Sequence, residues 1–135
     1  MTPLNQLATR AYDAERTYDQ VVHFVHVYII EPHPEGDPGP YSGGPSEREY
    51  SAGHPQPRTF PDRLAYAQQM LPEIQGDQQM LIDDLTPGRQ NNPAWCTYGP
   101  CPNCAFLIRP DGIIDTVQTW ADAGAMQTAI DALMQ

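Results

Sequence analysis

Three cysteines fall within nine residues, Cys96-Thr-Tyr-Gly-Pro-Cys101-Pro-Asn-Cys104, and the chain has no others. Thiols so spaced offer a short list of chemistries. Cys101 and Cys104 form a CxxC pair that can open and close as a disulfide, and Cys101 alone can resolve a sulfur bond made by a partner. All three could instead act as soft ligands, with His33 or His54 completing a tetrahedral Cys3His zinc site or sharing an iron-sulfur cluster. The plainest alternative is that they are small, partly buried loop residues. An extended backbone advances about 3.3 Å per residue, so positions i and i+3 stand roughly 10 Å apart, beyond the ~7 Å Cα limit for a disulfide. Cys101 and Cys104 therefore bond only where Pro102 and Asn103 turn the chain, and a cis Cys101–Pro102 peptide would supply that turn. The cluster runs into a strand, so a helix N-terminus to stabilise a thiolate is not expected, and Arg89 and Arg109 are the nearest cations in sequence.

Glu31 and His33 form a second candidate pair. They stand just past the carboxyl end of VVHFVHVYII, where open α/β sheets place ligands. A carboxylate and an imidazole there could exchange protons with a thiol or substrate near neutral pH; the plainer reading is a solvated loop start. His23 and His26 are three apart on the strand, point to opposite faces and cannot share one metal ion.

The elements that must position these groups follow from periodicity. Leu4, Leu7, Ala8, Ala11, Ala14 and Tyr18 predict a helix from about Pro3 to Asp19, with Thr2 as its cap. VVHFVHVYII, apolar on both faces, reads as a central strand. From about 32 to 61 the chain is crowded with Pro and Gly and reads as a long surface loop, anchored by Tyr41, Tyr50 and Phe60. A helix follows over about Pro61 to Ile74, with Leu64, Ala67, Gln68 and Leu71 on one side, and then a short strand in MLIDDL. TPGRQNNPAWCTYGPCPNC reads as loop. AFLIR and IIDTV flank a Pro-Asp-Gly turn, the strongest hairpin signal in the chain. DAGAMQTAIDALMQ closes the sequence as an amphipathic helix capped by Asp122, with Ala125, Met126, Ala129, Ile130, Leu133 and Met134 as its core stripe. The order predicts an α/β fold, a mixed sheet flanked by helices, in one domain spanning 1–135.

Composition excludes several classes. The formal charge is −10, and all seven basic residues are scattered arginines. That balance argues against nucleic acid or an anionic membrane as partner. No signal-like or spanning apolar run is present, and the odd cysteine count suits a reducing compartment, so a soluble cytoplasmic protein is expected.

Several segments resemble the thioredoxin-fold superfamily, in its iodothyronine deiodinase-like branch. FVHVYIIEPHP is similar to that family's strand and acidic-His-Pro motif, DRLAYAQQML to the following helix, MLIDDL to its next strand, and YGPCPNCAFLIRPDGII to its Tyr-x-x-x-Pro segment and hairpin. The resemblance implies a thioredoxin-like sheet, places Pro102 at the cis-proline beside the reaction centre, and sets Cys101 facing it. Cys104 stands where the family has an arginine. Counted back from His33, the family's selenocysteine or cysteine nucleophile falls at about Met1, so the first central strand is absent. The sheet would then close by direct pairing of its neighbours, through a strand-donating partner or homo-oligomer, or with residues encoded upstream.

The resulting expectation is a deiodinase-like thiol redox protein acting through Cys96, Cys101, Cys104, Glu31 and His33, with a thiol or protein redox partner and no cofactor. The alternatives are a non-enzymatic binding or assembly module of the same fold and a small Cys/His metal-binding protein.

Overall fold

The computed structural model describes residues 3–41, 43 and 53–135. The expected cap Thr2 and anchor Tyr50 lie outside them. The elements are helix α1 (Pro3–Ala8), strand β1 (Phe24–Tyr28), helix α2 (Phe60–Met70), strand β2 (Gln78–Ile82), helix α3 (Pro93–Tyr98), strands β3 (Ala105–Ile108) and β4 (Ile114–Gln118), and helix α4 (Ala123–Leu133). The chain is mixed α/β with two small sheets, β1 paired with β2 in parallel and β3 with β4 antiparallel. The single mixed sheet expected from the sequence is therefore divided, and β1 and β3 are not neighbours among the described residues.

Two compact units divide the chain. The first comprises 1–25, 72–79 and 103–135, and the second 26–71 and 80–102. The first has an apolar core of Leu7, Ala8, Tyr18, Phe24, Ala105, Leu107, Ala121, Ala123, Met126 and Ile130. α4 forms as predicted: Asp122 caps it, accepting from the Ala125 N–H at 2.7 Å. It buries Ala123, Met126 and Ile130, while Ala125, Leu133 and Met134 stay exposed, so the buried stripe is narrower than expected.

α1 is much shorter than the predicted helix. The Asp13 carboxylate accepts from the backbone N–H groups of Glu15 and Arg16 at 2.9 Å each. A side chain that captures nearby amides gives the backbone an alternative to helix, and it wins here. The chain then doubles back through an Ala11–Thr17 bridge to a single 3-10 turn at Tyr18–Gln20.

The β3–β4 hairpin also forms where expected, with Ala105 opposite Gln118, Phe106 opposite Val117, Leu107 opposite Thr116 and Ile108 opposite Ile114 across a bulge. Gly112, at φ +84°, takes the left-handed position its turn requires.

β1 is half the expected length and alternates in burial, leaving Val25 and Val27 exposed, so it is not covered on both faces. α2 is capped by Thr59, whose hydroxyl accepts from the Asp62 N–H. Its buried face is Arg63 and Ala67, and the predicted face members Gln68 and Leu71 are exposed. β2 lies two residues earlier than MLIDDL suggested.

Candidate active site

Cys101 and Cys104 are joined as a disulfide. Pro102 and Asn103 form the turn between them, and both sulfur-bearing residues are half-buried. The cis peptide is at Gly99–Pro100, not at Cys101–Pro102. Both prolines of the Pro-Cys-Pro segment follow residues that permit either isomer, and only tertiary context selects one.

Cys96 is a free, exposed thiol. It rides on a helix that the sequence reading missed altogether. Pro93 at the first helical position fixes a φ suited to the turn, and Asn92 precedes it in the left-handed region at φ 53°. The Cys96 N–H donates to Asn92 O at 2.9 Å. Gly99 ends the helix where nothing larger fits: a Cβ there would stand 2.7 Å from the Trp95 carbonyl oxygen.

The N-terminal amides of α3 are already engaged. The buried Asp83 carboxylate, at the end of β2, accepts from the Ala94 N–H at 2.8 Å and the Trp95 N–H at 2.9 Å. Behind it lies Arg63, 1 % exposed, whose guanidinium donates to the Asp83 carbonyl at 2.8 Å and to Asn92 Oδ1 at 2.6 Å. Its Nε is buried with no hydrogen-bond partner among the described residues. Burial pushes the Arg63 pKa below its ordinary value, opposed by the charges of Asp83, Tyr28, Glu31 and Asp84. Arg63 and Asp83 thus hold the first turn of α3, and Cys96 with it.

Glu31 and His33 are found where expected, past the end of β1. Glu31 accepts a short hydrogen bond from the Tyr28 hydroxyl. Burial first, and the Glu31 bond second, raise the Tyr28 pKa well above that of an ordinary phenol. The Glu31 backbone is clamped by Gln56, which accepts from its N–H and donates to its carbonyl, both at 3.0 Å. Glu35 N–H to His54 O at 2.9 Å and Arg58 to Asp37 at 3.0 Å add to this ladder. The Pro/Gly-rich segment is therefore closed at its neck by pairings between 31–37 and 54–58. His33 is exposed.

Of the predicted site residues, Cys101 and Cys104 are bonded to each other. With two of three thiols in a disulfide, the Cys3His zinc set is not assembled, and no group of three His, Cys, Asp or Glu among the described residues is placed to hold a metal ion. No described helix is long and apolar enough to cross a membrane. Sequence reasoning missed Arg63, Asp83 and Asn92. Only the Asn-Pro step ahead of Ala94 was a usable signal, as a helix start.

Fold and site together define a mixed α/β protein with a closed CxxC loop that begins five residues after a helix-borne free thiol. No family model matches the chain, and neither does any curated protein or solved structure.

Proposed function

We propose that the chain is a thiol–disulfide redox protein in which Cys101 and Cys104 are the exchanging pair. The observation that carries this reading is the disulfide itself, a half-buried CxxC turn with an exposed free thiol five residues upstream. The order β1-α2-β2, then the β3–β4 hairpin and a closing helix, supports a thioredoxin-like, deiodinase-like arrangement of these elements. Glu31 and His33 past the end of β1 are the acid and imidazole of that arrangement.

The chemistry is two-step exchange with a dithiol partner. One partner thiolate attacks a sulfur of the Cys101–Cys104 bond, forming a mixed disulfide and releasing the other cysteine as a thiolate, which takes a proton. The partner's second thiol then attacks the mixed disulfide. The partner leaves oxidised, and Cys101 and Cys104 are left reduced with two electrons and two protons gained. In a reducing cytoplasm the pair would rest as the dithiol and act in the opposite direction, on an oxidised partner.

The test is a glutathione redox titration read by mass spectrometry with thiol alkylation. A reversible two-electron change confined to Cys101 and Cys104, at a potential between about −270 and −120 mV, is the expected result. A bond stable below about −300 mV would mark a structural staple, and three unreactive free thiols would remove the reading.

A further inference from the structure

We propose that Asp111, in the β3–β4 turn, is a site of spontaneous isoaspartate formation, and that Arg109 restrains both of the groups that must react. The proposal is independent of the cysteine chemistry. Asp111-Gly112 is the only Asp-Gly step in the chain, and no Asn-Gly step occurs. In such a step the backbone nitrogen of the second residue attacks the side-chain carboxyl carbon of the first, and glycine obstructs that approach least because it has no Cβ. Both residues are exposed, and a Cβ built on Gly112 would meet nothing within 4 Å beyond its chain neighbours, so water reaches the step.

The turn holds the reacting groups apart from one another. The Arg109 N–H donates to Ile113 O and the Gly112 N–H to Arg109 O, both at 2.9 Å. These bonds enclose a three-residue loop, with Pro110 where a fixed φ favours the turn and Gly112 left-handed at φ +84°. The Arg109 side chain reaches the carboxylate: Nε donates to Asp111 Oδ1 at 3.3 Å and Nη2 to Oδ2 at 3.0 Å. The Ile113 N–H adds a bond to Oδ1 at 3.1 Å. Nucleophile and electrophile are thus tied to one residue, the first to its carbonyl and the second to its guanidinium. The side chains of the ion pair are 39 % and 54 % exposed, and an exposed pair holds its partners by only about two- to fivefold.

When the turn opens, the Gly112 nitrogen bonds to Asp111 Cγ. Its proton and the carboxyl hydroxyl leave together as water, and a succinimide closes. Water then adds to one of the two ring carbonyls and breaks that carbonyl's bond to nitrogen. Opening at the side-chain carbonyl restores aspartate; opening at the backbone carbonyl leaves Gly112 joined through Cγ, as isoaspartate. Nothing is oxidised, and the water lost is the water regained. The main chain gains one methylene, and the loop that joins Arg109 to Ile113 no longer fits.

The test ages the full chain in heavy-oxygen water at neutral pH and reads each aspartate by peptide mapping, with isoaspartate counted by methyl transfer from an L-isoaspartyl methyltransferase. Each ring opening installs one heavy oxygen, so the label identifies the site independently of the enzyme. The expected result is labelled isoaspartate at Asp111 ahead of every other aspartate. Arg109→Gln, which keeps the carbonyl and removes the charge, should raise the rate about two- to fivefold. Pro110→Ala, which loosens the turn, should raise it by a similar factor and speed hydrogen exchange of the Gly112 amide. No label at Asp111, or a rate unchanged in either variant, would overturn the proposal. Equal acceleration at all aspartates in Arg109→Gln would assign the effect to unfolding and overturn it too.

Discussion

The two compact units are held together by different physics. The first buries aliphatic and aromatic side chains, with Leu7, Ala8, Met126 and Ile130 nearly inaccessible. No such cluster is found among the described residues of the second. Its buried side chains among the described residues are Arg63, Asp83, Ala67, Pro34 and Pro57. Apolar burial is non-directional and scales with area, so losses in the first unit should be graded. A hydrogen-bonded hub fails differently, because removing one member leaves the others buried and unpaired.

The largest effect should therefore come from Arg63→Ala. It opens a cavity and orphans the Asp83 carbonyl and Asn92 Oδ1, at roughly 1–3 kcal/mol for each acceptor plus the cavity cost. Hydrogen exchange should show protection lost at Ala94, Trp95 and Cys96 while the α4 amides keep theirs. Arg63→Lys should rescue little, since one ammonium cannot reproduce the planar fork that reaches both acceptors. Equal loss of protection in both units would break the comparison.

Leu7→Ala, in the first unit, should cost about 2–5 kcal/mol, set by how far the core relaxes. Its measured signature is the converse: α4 amides exchange faster while Ala94 and Trp95 remain protected.

How much of this was legible in the sequence divides along the same line. The β3–β4 hairpin and α4 were readable because their determinants are local, a Pro-Asp-Gly turn and an Asp122 cap within three residues of the amide it binds. The over-long first helix shows the limit of periodicity: Ala11, Ala14 and Tyr18 keep a helical spacing, but the Asp13 carboxylate takes the backbone amides. The hub was invisible. Arg63 reaches across 20 residues to Asp83 and 29 to Asn92, and an arginine on a helix reads as surface until those partners are placed. The cysteine pair was legible in type and spacing, and its need for a turn at Pro102-Asn103 followed from chain geometry alone. The cis bond was not, since nothing local distinguishes Pro100 from Pro102.

A smaller effect is expected from Asp83→Ala. Its carboxylate holds the Ala94 and Trp95 amides, and losing a cap of this kind costs about 2 kcal/mol. Because the helix it holds carries Cys96, alkylation of that thiol should change in rate in Asp83→Ala but not in Leu7→Ala. Unchanged alkylation in Asp83→Ala would mean that Cys96 does not depend on the hub.

The smallest effects concern two tyrosines, one in each unit, and they sharpen the contrast by pH. Tyr18 donates to Asp131 at 2.7 Å, and that bond, followed by burial, raises its pKa. Tyr28 is raised too, but by burial first and the Glu31 bond second. A phenol whose folded pKa lies above its unfolded value of about 10 stabilises the fold fully below pH 10 and loses that contribution as pH rises through the folded value. Both tyrosines therefore favour folding at neutral pH, and stability should fall on the alkaline side. At pH 7, Tyr18→Phe removes one hydrogen bond and should cost about 1 kcal/mol. Tyr28→Phe should cost less at pH 7, because the dominant cause of its shift is burial, which the phenylalanine ring keeps. It should nonetheless flatten the alkaline fall for the second unit, read as amide exchange at Ala94 and Trp95 above pH 10. An alkaline profile unchanged by Tyr28→Phe would mean that the hub loosens before the phenol ionises.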